Sequence, residues 1–157
     1  MNVTIVKAQQ ADAKAILHVQ KLAYRSEAEI YNDYSILPLH ETVSDVEKAF
    51  SEYMILKAVA SNGEIAGSVR AKKENDQISI AKLMVHPDWQ NYGIGRKLME
   101  AIEQEVPGKR YSLFTGSKSV KNLALYQKLG YRIYKEGQLP GEATVFAFME
   151  KTRSSHV

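Results

Sequence analysis

Gly93 and Gly95, within the stretch Gln90-Asn91-Tyr92-Gly93-Ile94-Gly95-Arg96-Lys97-Leu98, stand directly before a run with helical spacing. A helix start leaves up to four backbone N–H groups without intrahelical partners and carries partial positive charge, so it can hold a phosphate that comes close enough. Glycines remove the side chains that would bulk out such a turn, and Arg96 and Lys97 add charge nearby. Two well-known phosphate loops are absent: Leu98 stands where the Rossmann fingerprint needs its third glycine, and Arg96-Lys97-Leu98 follows Gly95 where a P-loop needs Lys-Ser/Thr. Taken alone, Gly-X-Gly serves equally well as a tight strand-to-helix turn.

A second pair is Asn122 and Tyr126, four residues apart and therefore on one helical face with Leu125 and Leu129. Polar tips on an apolar stripe need partners, and the plain reading is a helix packed on a sheet with Tyr126 reaching water or a carbonyl. His18, His40, His86 and His156 are scattered without metal-ligand spacing. The absence of cysteine excludes disulfides, zinc thiolate sites and a cysteine nucleophile.

The elements that must position these residues are those of a chain of 157 residues and 17.7 kDa with 45% hydrophobic residues, read as one domain over residues 1–157. A net charge of +3 and a pI of 9.0 come from a dispersed surplus, and the nearest basic run, Ala71-Lys72-Lys73-Glu74-Asn75-Asp76, carries its own acids. Nucleic acid is therefore not an expected partner. No signal peptide and no membrane-length apolar run stands out, so a soluble cytoplasmic protein is the default expectation.

Residues 3–8 alternate as a strand, and residues 11–31 show helical spacing with Ala15, Leu22 and either Val19 or Leu17 on one flank. A loop around Pro38 precedes a second helix, for which Ser44 and Glu47 form a capping-box signature. Residues 53–61, 64–73 and 77–85 read as a three-strand antiparallel meander turning at Asn62-Gly63 and Asn75-Asp76. A helix from Ile94, a strand at 110–116, a helix ending at Gly130 and two closing strands around the Gly137–Gly141 loop complete the order. The expected class is α/β (mixed α+β): a mixed, mostly antiparallel seven-stranded sheet flanked by about four helices.

The segment Leu83–Glu103 resembles the central motif of the GNAT superfamily of acyl-CoA-dependent N-acetyltransferases, whose pattern Gln/Arg-X-X-Gly-X-Gly/Ala is filled by Gln90 to Gly95. The element order follows that family over nearly the whole chain. The resemblance implies transfer of an acetyl group from acetyl-CoA to a primary amine of a small molecule or protein, directly in a ternary complex and without metal. A non-catalytic acyl-CoA binding or sensing domain is the alternative. The resemblance also implies that backbone amides of Asn91, Tyr92, Gly93, Ile94, Gly95 and Arg96 grip the pyrophosphate, with Gln90 in the motif. Leu83, Met84 and Val85 are expected to pair with the pantetheine arm, and a backbone N–H near Val85 to hold the oxyanion. Asn122 becomes a cofactor contact and Tyr126 a general acid; family analogy extends to a homodimer.

Many family members carry a basic Glu on the central strand, but residues 77–85 contain no acid. Glu27, Glu29, Glu41, His86 or a water chain are the alternatives. The first two helices and their connection are expected on the acceptor side, where Tyr24, Glu27, Tyr31, Tyr34 and Glu41 would suit a cationic amine. The loop holding Glu142 is expected to close the pocket.

Overall fold

The computed structural model describes residues 2–153; His156 lies outside them. The strands are β1 (Val3–Lys7), β2 (Met54–Ala60), β3 (Ile65–Glu74), β4 (Gln77–Val85), β5 (Arg110–Gly116), β6 (Arg132–Gln138) and β7 (Val145–Thr152). The α-helices are α1 (Ala13–Tyr31), α2 (Val43–Ala49), α3 (Ile94–Glu105) and α4 (Val120–Lys128). One seven-stranded sheet runs β1-β2-β3-β4-β5-β7-β6. Every neighbouring pair is antiparallel except β4 and β5. The fold class and strand count read from the sequence therefore stand.

Two apolar clusters fasten helices to the sheet. Ile94, Leu98, Met99 and Ile102 of α3 and Tyr126 of α4 are buried with Val69, Ile80, Tyr111 and Met149. Ile16, Leu17 and Val19 of α1 join Val46 of α2, Ile55 and Met84 in the other. The buried flank of α1 is Ala13-Ile16-Leu17-Val19-Gln20, while Ala15 is exposed, so the flank expected around Ala15 is rotated. The shift brings Gln20 inside, where its Nε2 donates to Pro38 O at 3.0 Å and to Glu41 Oε1 at 2.7 Å. The cap of α2 also differs from expectation. Thr42 and Asp45 form the reciprocal capping box two residues before Ser44 and Glu47.

Both meander turns use the left-handed backbone that their residue types favour, at Gly63 (φ 88°) and Asn75 (φ 59°). More consequential is a bulge in β4. Ser68 faces Met84 and Arg70 faces Ala81, so Val69 alone opposes Lys82 and Leu83. Lys82 adopts φ 55°, a conformation unfavourable for a side chain of its kind. Bulges bend a strand and increase its twist. Beyond this one, β4 leaves β5: the parallel pairing covers only Gln77–Ser79 against Arg110–Ser112.

Gly67 sits where β3 runs against the far end of β4; a Cβ there would lie 2.6 Å from the Met84 carbonyl oxygen, a backbone atom that cannot swing away. Gly67→Ala is therefore expected to lower unfolding free energy by about 1–3 kcal/mol, the usual range for overpacking, read as a lower denaturation midpoint with unchanged m-value.

Candidate functional site

Where β4 and β5 part, the wedge between them opens into a cavity of about 710 Å³. Its walls come from the second half of β4, the start of α3, the end of β5, the first turns of α4, the second half of α1, the α1–α2 connection and the β6–β7 connection.

One end is built of backbone. Gly93 caps α3 with φ 77°, and Asn91, two residues earlier, has φ 69°. This pair of left-handed residues turns the chain so that successive amides point the same way. No acceptor among the described residues takes the N–H of Asn91, Tyr92, Gly93, Ile94, Gly95 or Arg96; the first bond inward is Lys97 N–H to Gly93 O at 3.1 Å. Unpaired amides at a helix start make an anion site. Lys121 Nζ donates to Asn91 Oδ1 at 3.3 Å and, with Lys118 and Arg96, adds positive charge to this end. Gln90, Asn91, Gly93, Ile94, Gly95 and Arg96 all line the cavity. The Tyr92 side chain does not; it is half exposed outside.

Along the wedge, the β5-facing edge of β4 is unpaired from Ile80 onward, and Leu83, Met84 and Val85 line the cavity. Such an edge presents alternating donors and acceptors to any extended chain of amides. His86 N–H is taken by Ala66 O at 2.8 Å, and His86 Nδ1 accepts from Asp88 N–H at 3.1 Å, so this histidine serves as a cap.

Tyr126 lies at the meeting of the wedge and the remaining half of the cavity, 6% exposed, its ring edge-on to Tyr131 with centroids 6.1 Å apart. Burial, with the nearby Tyr24 and Glu27, pushes its phenol well above the ordinary tyrosine range, so it keeps its proton at neutral pH. Tyr131 Oη in turn donates to Glu103 Oε2 at 2.9 Å, and Lys151 Nζ donates to Glu103 Oε1 at 2.9 Å. The backing of Tyr126 is thus fixed to α3 and β7.

In the other half, Tyr24, Glu27 and Tyr31 of α1 line the cavity together with Asn122. Glu27 accepts Ser119 Oγ at 2.9 Å on Oε2 and Asn122 Nδ2 at 2.9 Å on Oε1. Burial raises its carboxyl above the usual range despite these two donors, which favour the charged form. Tyr31 Oη accepts Lys118 N–H at 2.8 Å and lies 3.1 Å from Ser119 Oγ. It fits there because residue 116 is glycine; any Cβ would collide with the phenol. Tyr31 therefore braces the β5–α4 turn with its hydroxyl.

Glu41 is not in the cavity wall. Its carboxylate receives Gln20 and pairs with Lys82 Nζ at 3.4 Å, while the Lys82 ammonium lies 5.4 Å from the Tyr24 ring centre. Burial holds the Lys82 ammonium below the ordinary lysine range, partly offset by Glu41. The sequence offered no sign of Lys82, whose place depends on the bulge. Nor did it show the apolar rim, where Ile30, Leu37 and Phe114 are exposed at the cavity mouth. Ser119 stands at the N-cap of α4, yet its hydroxyl makes no cap bond and donates to Glu27. Among the described residues no group of His, Asp or Glu side chains is arranged to hold a metal ion, and no helix is long and apolar enough to cross a membrane.

A family model described as an acetyltransferase (GNAT) domain matches residues 52–133, more than half of the chain. The UPF0157 protein YqkA of Bacillus subtilis (strain 168) is 29% identical over 121 residues, 76% of this chain and 34% of that protein; the chain thus spans about a third of that relative. The uncharacterized N-acetyltransferase YvbK of the same organism is 28% identical over 122 residues, 74% of this chain and 79% of that protein. Among solved structures, the paia N-acetyltransferase of Thermoplasma acidophilum in complex with coenzyme A superposes with a TM-score of 0.75 at 17% identity, covering 98% of this chain and 100% of that one. That likeness is one of fold. With the amide-lined turn lying inside the stretch that the family model matches, the chain belongs to the GNAT acetyltransferase family.

Proposed function

We propose that this chain acetylates a primary amine of a small molecule or protein, using acetyl-CoA as donor. The observation that carries this reading is the run of six consecutive unpartnered amides, residues 91–96, of which Asn91, Gly93, Ile94, Gly95 and Arg96 line the same cavity as the buried phenol of Tyr126. The donor fits the residues present: anionic phosphates match the amide turn with Lys118 and Lys121, and the amide-rich pantetheine matches the free edge of β4 at Leu83, Met84 and Val85. Acetyl-CoA supplies the acyl group as an activated thioester.

The remaining work belongs to the protein. The turn and the strand edge hold the donor in one orientation, so the amine meets the thioester at high effective concentration. A backbone N–H near Val85 stabilises negative charge on the carbonyl oxygen. Tyr126 Oη holds a proton beside the departing sulfur and gives it up when charge develops there. Its raised pKa keeps that proton in place until then.

Titration of coenzyme A into the protein in a calorimeter is expected to give saturable heat, and release of free thiol from acetyl-CoA is expected only when a suitable primary amine is added. Tyr126→Phe should lower kcat by about 100-fold, within the span of general-acid effects, with coenzyme A affinity unchanged. A mutant with wild-type turnover removes Tyr126 as the acid. Gly93→Val must force a β-branched residue to φ 77°. With a left-handed penalty of about 1–2 kcal/mol, coenzyme A binding should weaken roughly tenfold or more.

A further inference from the structure

Glu27 has hydrogen-bond donors but no cation. Its carboxylate is half-buried at the cavity wall, and among the described residues no Lys, Arg or His nitrogen lies within 4.0 Å of it. Ser119 Oγ reaches both oxygens, at 3.1 and 2.9 Å, and Asn122 Nδ2 reaches Oε1 at 2.9 Å. Oε2 therefore has Ser119 as its sole partner. The donor set is itself held: Tyr31 Oη stands 3.1 Å from Ser119 Oγ and is anchored by Lys118 N–H. A half-buried carboxylate held this firmly, without a counter-ion, matches an incoming ammonium.

The other groups able to take a proton are engaged or elsewhere. Glu29 is exposed and outside the wall, Glu41 is paired with Lys82 and Gln20, and His86 Nδ1 caps Asp88. Glu142 lines the cavity, but no donor among the described residues fixes its carboxylate. We propose that Glu27 is the proton acceptor for the acceptor ammonium and that Ser119, Asn122 and Tyr31 are positioning residues that aim its Oε2, the oxygen with fewer donors. This rests on the amine-acetylation reading above, and it gives Asn122 a different task from donor contact.

The proton balance closes. An N–H bond of the ammonium breaks, its electron pair stays on nitrogen, and Glu27 Oε2 gains the proton. The nitrogen pair forms the N–C bond while the C–S bond breaks with its pair going to sulfur; Tyr126 Oη protonates that sulfur and recovers a proton from the new amide nitrogen. Glu27 then releases its proton to water. Burial lifts the Glu27 carboxyl toward the range in which accepting a proton from an ammonium is easier. The groups that face it are Tyr24 and Tyr31 from α1, Ser119, Asn122 and Tyr126 from the α4 side, and Thr115 behind Asn122 on β5; Lys82 and Lys118 line the same cavity.

The test uses the full chain in two measurements. In carbon-13 spectra of protein labelled at glutamate carboxyls, the resonance missing from Glu27→Gln should titrate above the ordinary glutamate range. It should move higher still in Ser119→Ala, which loses a donor to the charged form. In thiol-release assays with acetyl-CoA and primary amines headed by 2-phenylethylamine, Glu27→Gln should lose about 100-fold in kcat and the acidic limb of its pH profile. Its melting temperature and coenzyme A affinity should stay unchanged, and Ser119→Ala should shift the limb to higher pH. A Glu27 carboxyl that titrates in the ordinary range overturns the assignment, as does Glu27→Gln with wild-type rate and limb. Wild-type protein that binds coenzyme A yet acetylates no amine overturns the transfer reading itself, and this assignment with it.

Discussion

A parallel strand pair that lasts only three residues is the constraint from which the rest of this molecule follows. Past Ser79 and Ser112 the two central strands separate, and each is left with an edge that secondary structure does not satisfy. Buried peptide groups without partners are costly, so such a gap inside a sheet persists only if something else meets those groups. Here the gap widens into the cavity, and the amides of residues 91–96 stand at its end. The bulge at Lys82 is what turns β4 out of register. Neither edge can slide back into pairing, because both helical layers are packed against the sheet on their own clusters.

The cavity divides by chemistry. One end is positive and made of backbone, suited to an anion of any sequence context, while the other is aromatic and apolar with a single braced carboxylate. Tyr126 stands between them, with Tyr131, Glu103 and Lys151 behind it. That backing joins α3, the residue preceding β6, and β7 through charged and hydrogen-bonded contacts in which both carboxylate oxygens of Glu103 have a donor. The low-dielectric surroundings that raise the Tyr126 phenol also strengthen every dipole aimed into the site.

Much of the fold was legible because it is local. The β-meander announces itself by alternation and by Asn-Gly and Asn-Asp turns, and α3 by its apolar spacing at Ile94, Leu98 and Ile102. The Gln90–Gly95 turn could be read since its demand is for absent side chains. What was illegible is long-range or strained. Ser119 and Asn122 find Glu27 across 92 and 95 residues of chain, and no spacing rule reaches that far. Thr42 and Ser44 are both good caps, each with an acid three residues on, and spacing alone does not choose between them; the box formed is that of Thr42 with Asp45. Lys82 in a left-handed conformation breaks local preference altogether, and departures of that kind concentrate at functional sites.

Lys82 also bears on how this protein responds to selection for robustness. Glycine or asparagine would relax the backbone at the bulge, and a screen for heat resistance would favour either one. Both would delete the ammonium that ties the α1–α2 connection to the central strand through Glu41. Thermal hardening at this position and that polar tie therefore pull in opposite directions, and a library sorted only for solubility or melting would lose the tie first.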